Sequence, residues 1–77
     1  MEELLVTIAR GLVKCPDQVT VTVDEPDAED TVVYHLHVAP DDMGRVIGKQ
    51  GRIAKEIRVL MRSVANRNGQ KIMVEID

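Results

Sequence analysis

The chain has no tryptophan, no phenylalanine and a single tyrosine, Tyr34, among its 77 residues. Proteins that hold nucleic acid by stacking bases on side chains need several exposed rings, so an aromatic platform is excluded. The one cysteine, Cys15, cannot close an internal disulfide. It reads either as a small residue at a helix end or as a reactive or intermolecular thiol. No apolar run approaches the roughly 18 residues of a membrane span, and the acidic start Met1-Glu2-Glu3 is unlike a secretory signal. A cytoplasmic location with no membrane partner is therefore expected. Catalytic signatures are missing too. There is no GxxxxGK followed by Ser or Thr, no GxGxxG and no evident Ser/His/Asp set, and Cys15 is far in sequence from His35 and His37. The chain is expected to be neither an enzyme nor a cofactor carrier. The two histidines, one residue apart, could give a metal only two ligands, and no Cys/His cluster completes the four that zinc takes. They are expected to face solvent or to touch a partner.

What the chain does have is apolar material, 44% of its residues, in a length that permits one small domain, residues 1–77. Such a domain buries only about 60% of its unfolded surface, so nearly all of it must be scaffold. The net charge of −3 conceals a segregation. Met1 to Asp42 carries two cations (Arg10, Lys14) against ten acids, whereas Met43 to Lys71 carries eight cations against Glu56 alone. A positive face and an acidic body are implied, the latter discouraging indiscriminate binding to duplex DNA or membrane. The alternative is a long helix that simply carries Lys and Arg on its solvated side.

Periodicity orders the elements. Leu4, Leu5, Ile8, Ala9 and Leu12 share one stripe of a helix from about Glu2 to Val13, with Glu2 and Glu3 suited to its N-terminus and Pro16 stopping it. Val19, Val21 and Val23 alternate with Thr20 and Thr22 as a strand with one buried face. Asp24 to Asp30, five acids and a proline in seven residues, reads as a solvated hairpin loop, able to repel phosphate or attract a basic partner but needing no role beyond connection. A second strand runs from about Thr31 to Ala39, with Val32, Tyr34, Leu36 and Val38 inward and Val33, His35 and His37 outward. Asp41 or Asp42 is a candidate N-cap for a short helix from Met43 to Ile47. After Gly51 a longer helix places Ala54, Ile57, Leu60, Met61 and Val64 in its core stripe and is stopped by Asn68-Gly69. Ile72, Val74 and Ile76 mark a closing strand with Met73 outward. The order is αββααβ. A short hairpin makes the first two strands antiparallel, and a right-handed crossover makes the third parallel to the second. The fold class is α+β, a mixed three-stranded sheet with three helices on one face.

Between the two later helices stands Gly48-Lys49-Gln50-Gly51. Two glycines let backbone come close to a ligand, and the helix after them aims its free N–H groups back at the turn, so an anion there meets those donors together with Arg45, Lys49 and Arg52. The string Val46-Ile47-Gly48-Lys49-Gln50-Gly51, set between two helices, resembles the signature of the KH domain, a single-stranded nucleic-acid binder that clamps about four nucleotides. The order of elements is similar to the bacterial, type II KH fold from Leu4 to Ile76, and a chain this short looks like the small single-domain KH proteins of the KhpA family.

The resemblance implies RNA binding in the cytoplasm, as an RNA chaperone or post-transcriptional regulator, with self-association into a homodimer and pairing with a larger Jag-type KH protein. It places the clamp on Gly48, Lys49, Gln50 and Gly51, flanked by Arg45 and Lys55, with Val46 and Ile47 at the base of a groove and Arg52 and Ile53 opening its far wall. The family pattern often has isoleucines three and six positions after the second glycine; Ala54 and Ile57 stand there, with Ile53 beside the first, making the wall at Ala54 smaller. KH grooves hold bases by apolar contact and hydrogen bonds to their edges, so the shortage of aromatics that disfavours RRM or OB-type binding leaves this one open. The competing expectation is a KH fold used for protein interaction, with Met73 as a contact and only weak or incidental nucleic-acid binding.

Overall fold

A computed structural model describes residues 1–77. Helix α1 (Glu2–Leu12) buries Leu5 and Ala9, residues one turn apart, and is followed by a 3-10 turn at Pro16–Gln18. Strands β1 (Thr20–Val23) and β2 (Thr31–His37) form the hairpin. A second 3-10 turn, Pro40–Asp42, leads into α2 (Met43–Ile47), and a third, Lys49–Gly51, into α3 (Arg52–Arg67), before β3 (Lys71–Ile76) closes the chain. The αββααβ order is present.

The sheet order is β1-β2-β3. The hairpin is antiparallel, with Val21 opposite Leu36 and Val23 opposite Tyr34. The crossover strand is parallel, with Thr31 opposite Lys71 and Tyr34 opposite Val74. Period-two alternation then puts Val19, Tyr34, Leu36 and Val74 on one face, where they meet Leu5 and Ala9 of α1 and Ile57 and Met61 of α3 in a single core. Tyr34 is buried there, as its place in the alternation predicts. Leu36 and Met61 have no exposed surface, so truncating either to alanine is expected to cost about 2 to 5 kcal/mol. At the end of α3, Gly69 at φ +70° lets the chain fold back, with Gln70 N–H donating to Ala65 C=O at 2.8 Å and Gly69 N–H to Asn66 C=O at 3.1 Å.

Several expectations are corrected. The core stripe of α3 is Ala54, Ile57, Met61 and Ala65, and Leu60 is 46% exposed. At about 100° per residue Leu60 is roughly a quarter-turn from Met61; Ala54 is buried as expected, Val64 is only half-buried, and small Ala65 completes the inward line. Helix α1 ends one residue early. Strand β1 starts at Thr20, with Val19 buried between the preceding turn and the strand, and β2 stops at His37, short of Ala39. Asp42 occupies the N-cap position of α2 yet makes no capping bond. The acidic loop is exposed from Asp24 to Asp30, as expected of a solvated hairpin loop, and is ordered in addition by Asp27, whose Oδ1 accepts from the N–H groups of Glu29 (2.8 Å) and Thr31 (3.0 Å). On the outer face of the sheet the histidines are paired within the chain, His35 Nε2 at 2.8 Å from Asp24 Oδ2 and His37 Nδ1 at 3.1 Å from Asp77 Oδ1. The bond to Asp24 raises the pKa of His35 above its ordinary value, with the nearby charges of Asp24, Glu75 and Asp77 acting in the same direction and desolvation opposing them.

Candidate nucleic-acid interface

The turn between α2 and α3 is made by backbone alone. Gly48 N–H donates to Gly44 C=O at 2.9 Å and ends α2, and Gly51 N–H donates to Gly48 C=O at 3.2 Å. Gly48 has φ +76°, Gln50 φ +59° and Gly51 φ +74°, so three of the four residues lie where L side chains are rarely found. Gly48 has a second reason to be glycine: a Cβ there would stand 2.6 Å from Cγ1 of Ile53. Nothing lies within 4 Å of the corresponding point at Gly51, where the positive φ alone favours glycine.

This geometry sorts the residues that the sequence nominates. Lys49 and Gln50 form the exposed tip. Arg45 on α2 and Arg52 at the start of α3 are exposed on either side of it, and Lys55 is exposed one turn further along α3. Ile47, Gly48, Gly51 and Ile53 are half-buried, and Ile53 packs against the turn from the α3 side. Val46 is fully buried. It supports the turn from beneath and offers no surface to a ligand. Ala54 is 4% exposed and faces inward, so Ile53 is the apolar surface beside the turn and Ala54 adds nothing to a wall.

The arrangement can do one thing well. The N–H of Arg52, the first residue of the 16-residue helix α3, donates back to the C=O of Lys49, and the next N–H groups, which have no partner within the helix, carry its positive dipole end beside a turn whose exposed side chains are cationic or amide. Phosphate is the matching group. The surface here is open: the two clefts of the molecule, each of roughly 300 Å³, lie at the other end, around Lys71. No three His, Cys, Asp or Glu side chains are grouped to hold a metal ion.

Two residues near this surface have roles that periodicity does not reveal. Asp42 is buried and accepts hydrogen bonds from the backbone of Lys14 and Cys15, so it ties α2 to the end of α1. Arg58, an exposed cation of α3, donates from Nε to the C=O of Val74 at 3.2 Å and covers part of the free edge of β3. The i, i+3 spacing of Asp42 and Arg45 was the only signal for the first, and none exists for the second.

Residues 2–76 match a family model described as KhpA/KhpB, KH domain. The RNA-binding protein KhpA of Clostridium acetobutylicum is 50% identical over 76 residues, covering 99% of both chains. The RNA-binding protein KhpA of Chlamydia pneumoniae is 42% identical over 76 residues, 99% of this chain and 95% of the relative. Among solved structures, Era in complex with MgGDPNP and nucleotides 1506–1542 of 16S ribosomal RNA superposes with a TM-score of 0.69 at 20% identity. The likeness covers 97% of this chain and 28% of Era, a likeness of fold between the whole of one and a part of the other.

Proposed function

The chain belongs to the KhpA/KhpB KH-domain family, and we propose that it binds single-stranded RNA at the Gly48–Gly51 turn, clamping about four nucleotides. The observation that carries this reading is the turn itself: a backbone closed by glycines, with Lys49 and Gln50 exposed at its tip and Arg45 and Arg52 on either side. Phosphates run past the turn and α3's first N–H groups, and bases lie against Ile47 and Ile53. The relatives carry the name RNA-binding protein, which supports the same ligand here. We place the protein in the cytoplasm as an RNA chaperone or post-transcriptional regulator that does no chemistry on its ligand.

One shallow site holding about four nucleotides should bind with a Kd on the order of micromolar. It should prefer a single strand to a duplex of the same sequence, whose bases are hidden. About three neutralised phosphates at roughly −0.7 each give a slope of log K against log salt near −2. The test is titration of labelled single-stranded and duplex RNA at several salt concentrations with the native protein and with Lys49→Asp/Gln50→Asp. Tighter binding to duplex, or undiminished affinity in the folded double variant, removes the turn from the mechanism.

Exposed apolar side chains favour a protein partner as well. Val59 (49%) and Leu60 (46%) are adjacent on the outer side of α3, and Met73 (54%) lies on the open face of the sheet. A homodimer through such surfaces joins two weak RNA sites and gains avidity by effective concentration, and a larger Jag-type KH protein is a second candidate partner. Light scattering that finds only monomer at tens of micromolar, with no gain in affinity for longer RNA, would speak against the dimer. An interaction module with incidental RNA binding is what remains if the titration fails.

A further inference from the structure

Asp42 is the only charged or polar residue of the chain that is buried, at 1% exposure. A carboxylate is tolerated out of water only where hydrogen bonds and a counter-charge replace its hydration. Here Lys14 N–H donates to Oδ1 and Cys15 N–H to Oδ2, both at 3.1 Å, and Nε of Arg45 stands 3.4 Å from Oδ1. One side chain thus joins the corner after α1, the start of α2 and a cation of the proposed RNA site. The side chain of Arg45 is 45% exposed, so a phosphate can still reach it.

We propose that Asp42 is a positioning residue for RNA binding: it holds Arg45 against a fixed corner so that the guanidinium faces the phosphates passing Gly48–Gly51. The inference rests on the RNA-binding reading above. An arginine that is free in solution must give up rotamer freedom when it meets a phosphate, whereas one already held has done so on folding. The hold comes from a rigid base, since the carboxylate is itself fixed by two backbone donors. The hold also acts on the turn, because Arg45 lies in the single helical segment that Gly48 terminates.

The sign of the effect separates this role from charge alone. A carboxylate near RNA repels phosphate, so if only charge mattered, Asp42→Asn would tighten binding. Positioning predicts the opposite. The experiment measures affinity for a labelled single-stranded RNA, with thermal unfolding alongside, for the native protein, Asp42→Asn, Arg45→Gln and the double variant. Asp42→Asn should weaken binding roughly threefold to tenfold when Arg45 is present, and by less than about twofold on the Arg45→Gln background, as for two groups in one network. Equal losses on both backgrounds, or a gain in affinity, would overturn the proposal. Should Asp42→Asn fail to fold, Arg45→Lys decides: it keeps the charge but not the planar fork. Affinity as low as that of Arg45→Gln supports positioning, and native affinity refutes it. Lys49→Asp/Gln50→Asp serves as the control. If it abolishes binding while the Asp42 and Arg45 variants change nothing, only the positioning role falls; if it too changes nothing, the RNA-binding reading falls with it.

Discussion

The molecule contains two turns that carry opposite charge and differ in whether a side chain helps to close them. The acidic one, between β1 and β2, adds a side chain to its backbone bonds: Asp27 N–H donates to Thr31 C=O and Asp30 N–H to Asp27 C=O, Asp27 Oδ1 takes the N–H groups of Glu29 and Thr31, and Asp30 adopts φ +64°. The basic one, between α2 and α3, uses no side chain at all. Glycines at either end supply the conformations, and the bonds are backbone to backbone. The difference bears on function. A carboxylate that closes its own loop is no longer free for a ligand, while closing a turn with glycine leaves every other side chain available. Glycine costs more chain entropy on folding, which is the expense of keeping Lys49 and Gln50 uncommitted.

The largest expected effect comes from reversing the charge of the free tip. Lys49→Asp/Gln50→Asp should lose about 2 to 5 kcal/mol of RNA affinity, by comparison with truncating a buried charged pair. Stability should change by roughly 0.5 kcal/mol or less per site, and aspartate tolerates the left-handed conformation required at position 50. Affinity titration together with thermal unfolding checks both halves. Next is the turn's skeleton. Gly48→Ala meets both a positive φ and Ile53, and should cost about 2 to 4 kcal/mol in denaturant unfolding. Gly51→Ala meets only the φ and should cost about 1 to 2 kcal/mol. Equal costs would mean that the contact with Ile53 relaxes freely. Smaller still, Asp27→Ala should lower stability by about 1 kcal/mol by removing the acceptor of two exposed N–H groups, with no loss of RNA affinity. A fall in affinity would show that the two turns are not separate in function.

The gentlest probe is pH. The pKa of His35 is raised in the folded protein, first by its bond to Asp24 and further by the charges of Asp24, Glu75 and Asp77. A raised folded-state pKa stabilises fully below the ordinary value of 6.5, and that contribution disappears as pH climbs through the folded-state pKa. The melting-temperature advantage of the native protein over His35→Gln should therefore shrink from pH 5.5 to pH 8.5. An advantage that grows over that range contradicts the assigned sign. RNA affinity of the turn should not follow this titration.

Much of the fold was legible because it rests on period. Alternation in 31–38 and 72–76 identified the buried strand faces, including Tyr34, whereas in 19–23 it held for Val19 and, in part, Val21 but not for Val23, which is exposed at the end of its strand; the glycine and proline positions marked where helices stop. The turn was legible because glycine pairs are informative about backbone. Two kinds of feature were not. Leu60 looked like core because it is apolar and near the stripe, and sequence cannot weigh it against Ala65, whose small side chain occupies the inward line. Asp42 looked like a cap because it precedes a helix. Its carboxylate turns instead to Lys14 and Cys15, residues brought beside it only by the packing of α1. Long-range side-chain to backbone bonds of this kind have no period to read.

The parallel pairing of β2 with β3 carries a consequence for the order in which the protein assembles. The hairpin joins near neighbours, Val23 with Tyr34, whereas the crossover joins Thr31 with Lys71 and encloses α2, the turn and all of α3. Closing a long loop spends chain entropy before any non-local contact repays it, so the barrier to folding should lie in that closure. Helix α3 is local and can form on a faster timescale. Variants at the strand pairing, such as Val74→Ala, should then slow refolding, while variants at the exposed tip, Lys49 and Gln50, should leave the refolding rate unchanged. The surface proposed to meet RNA would thus be complete only when the last strand is in place.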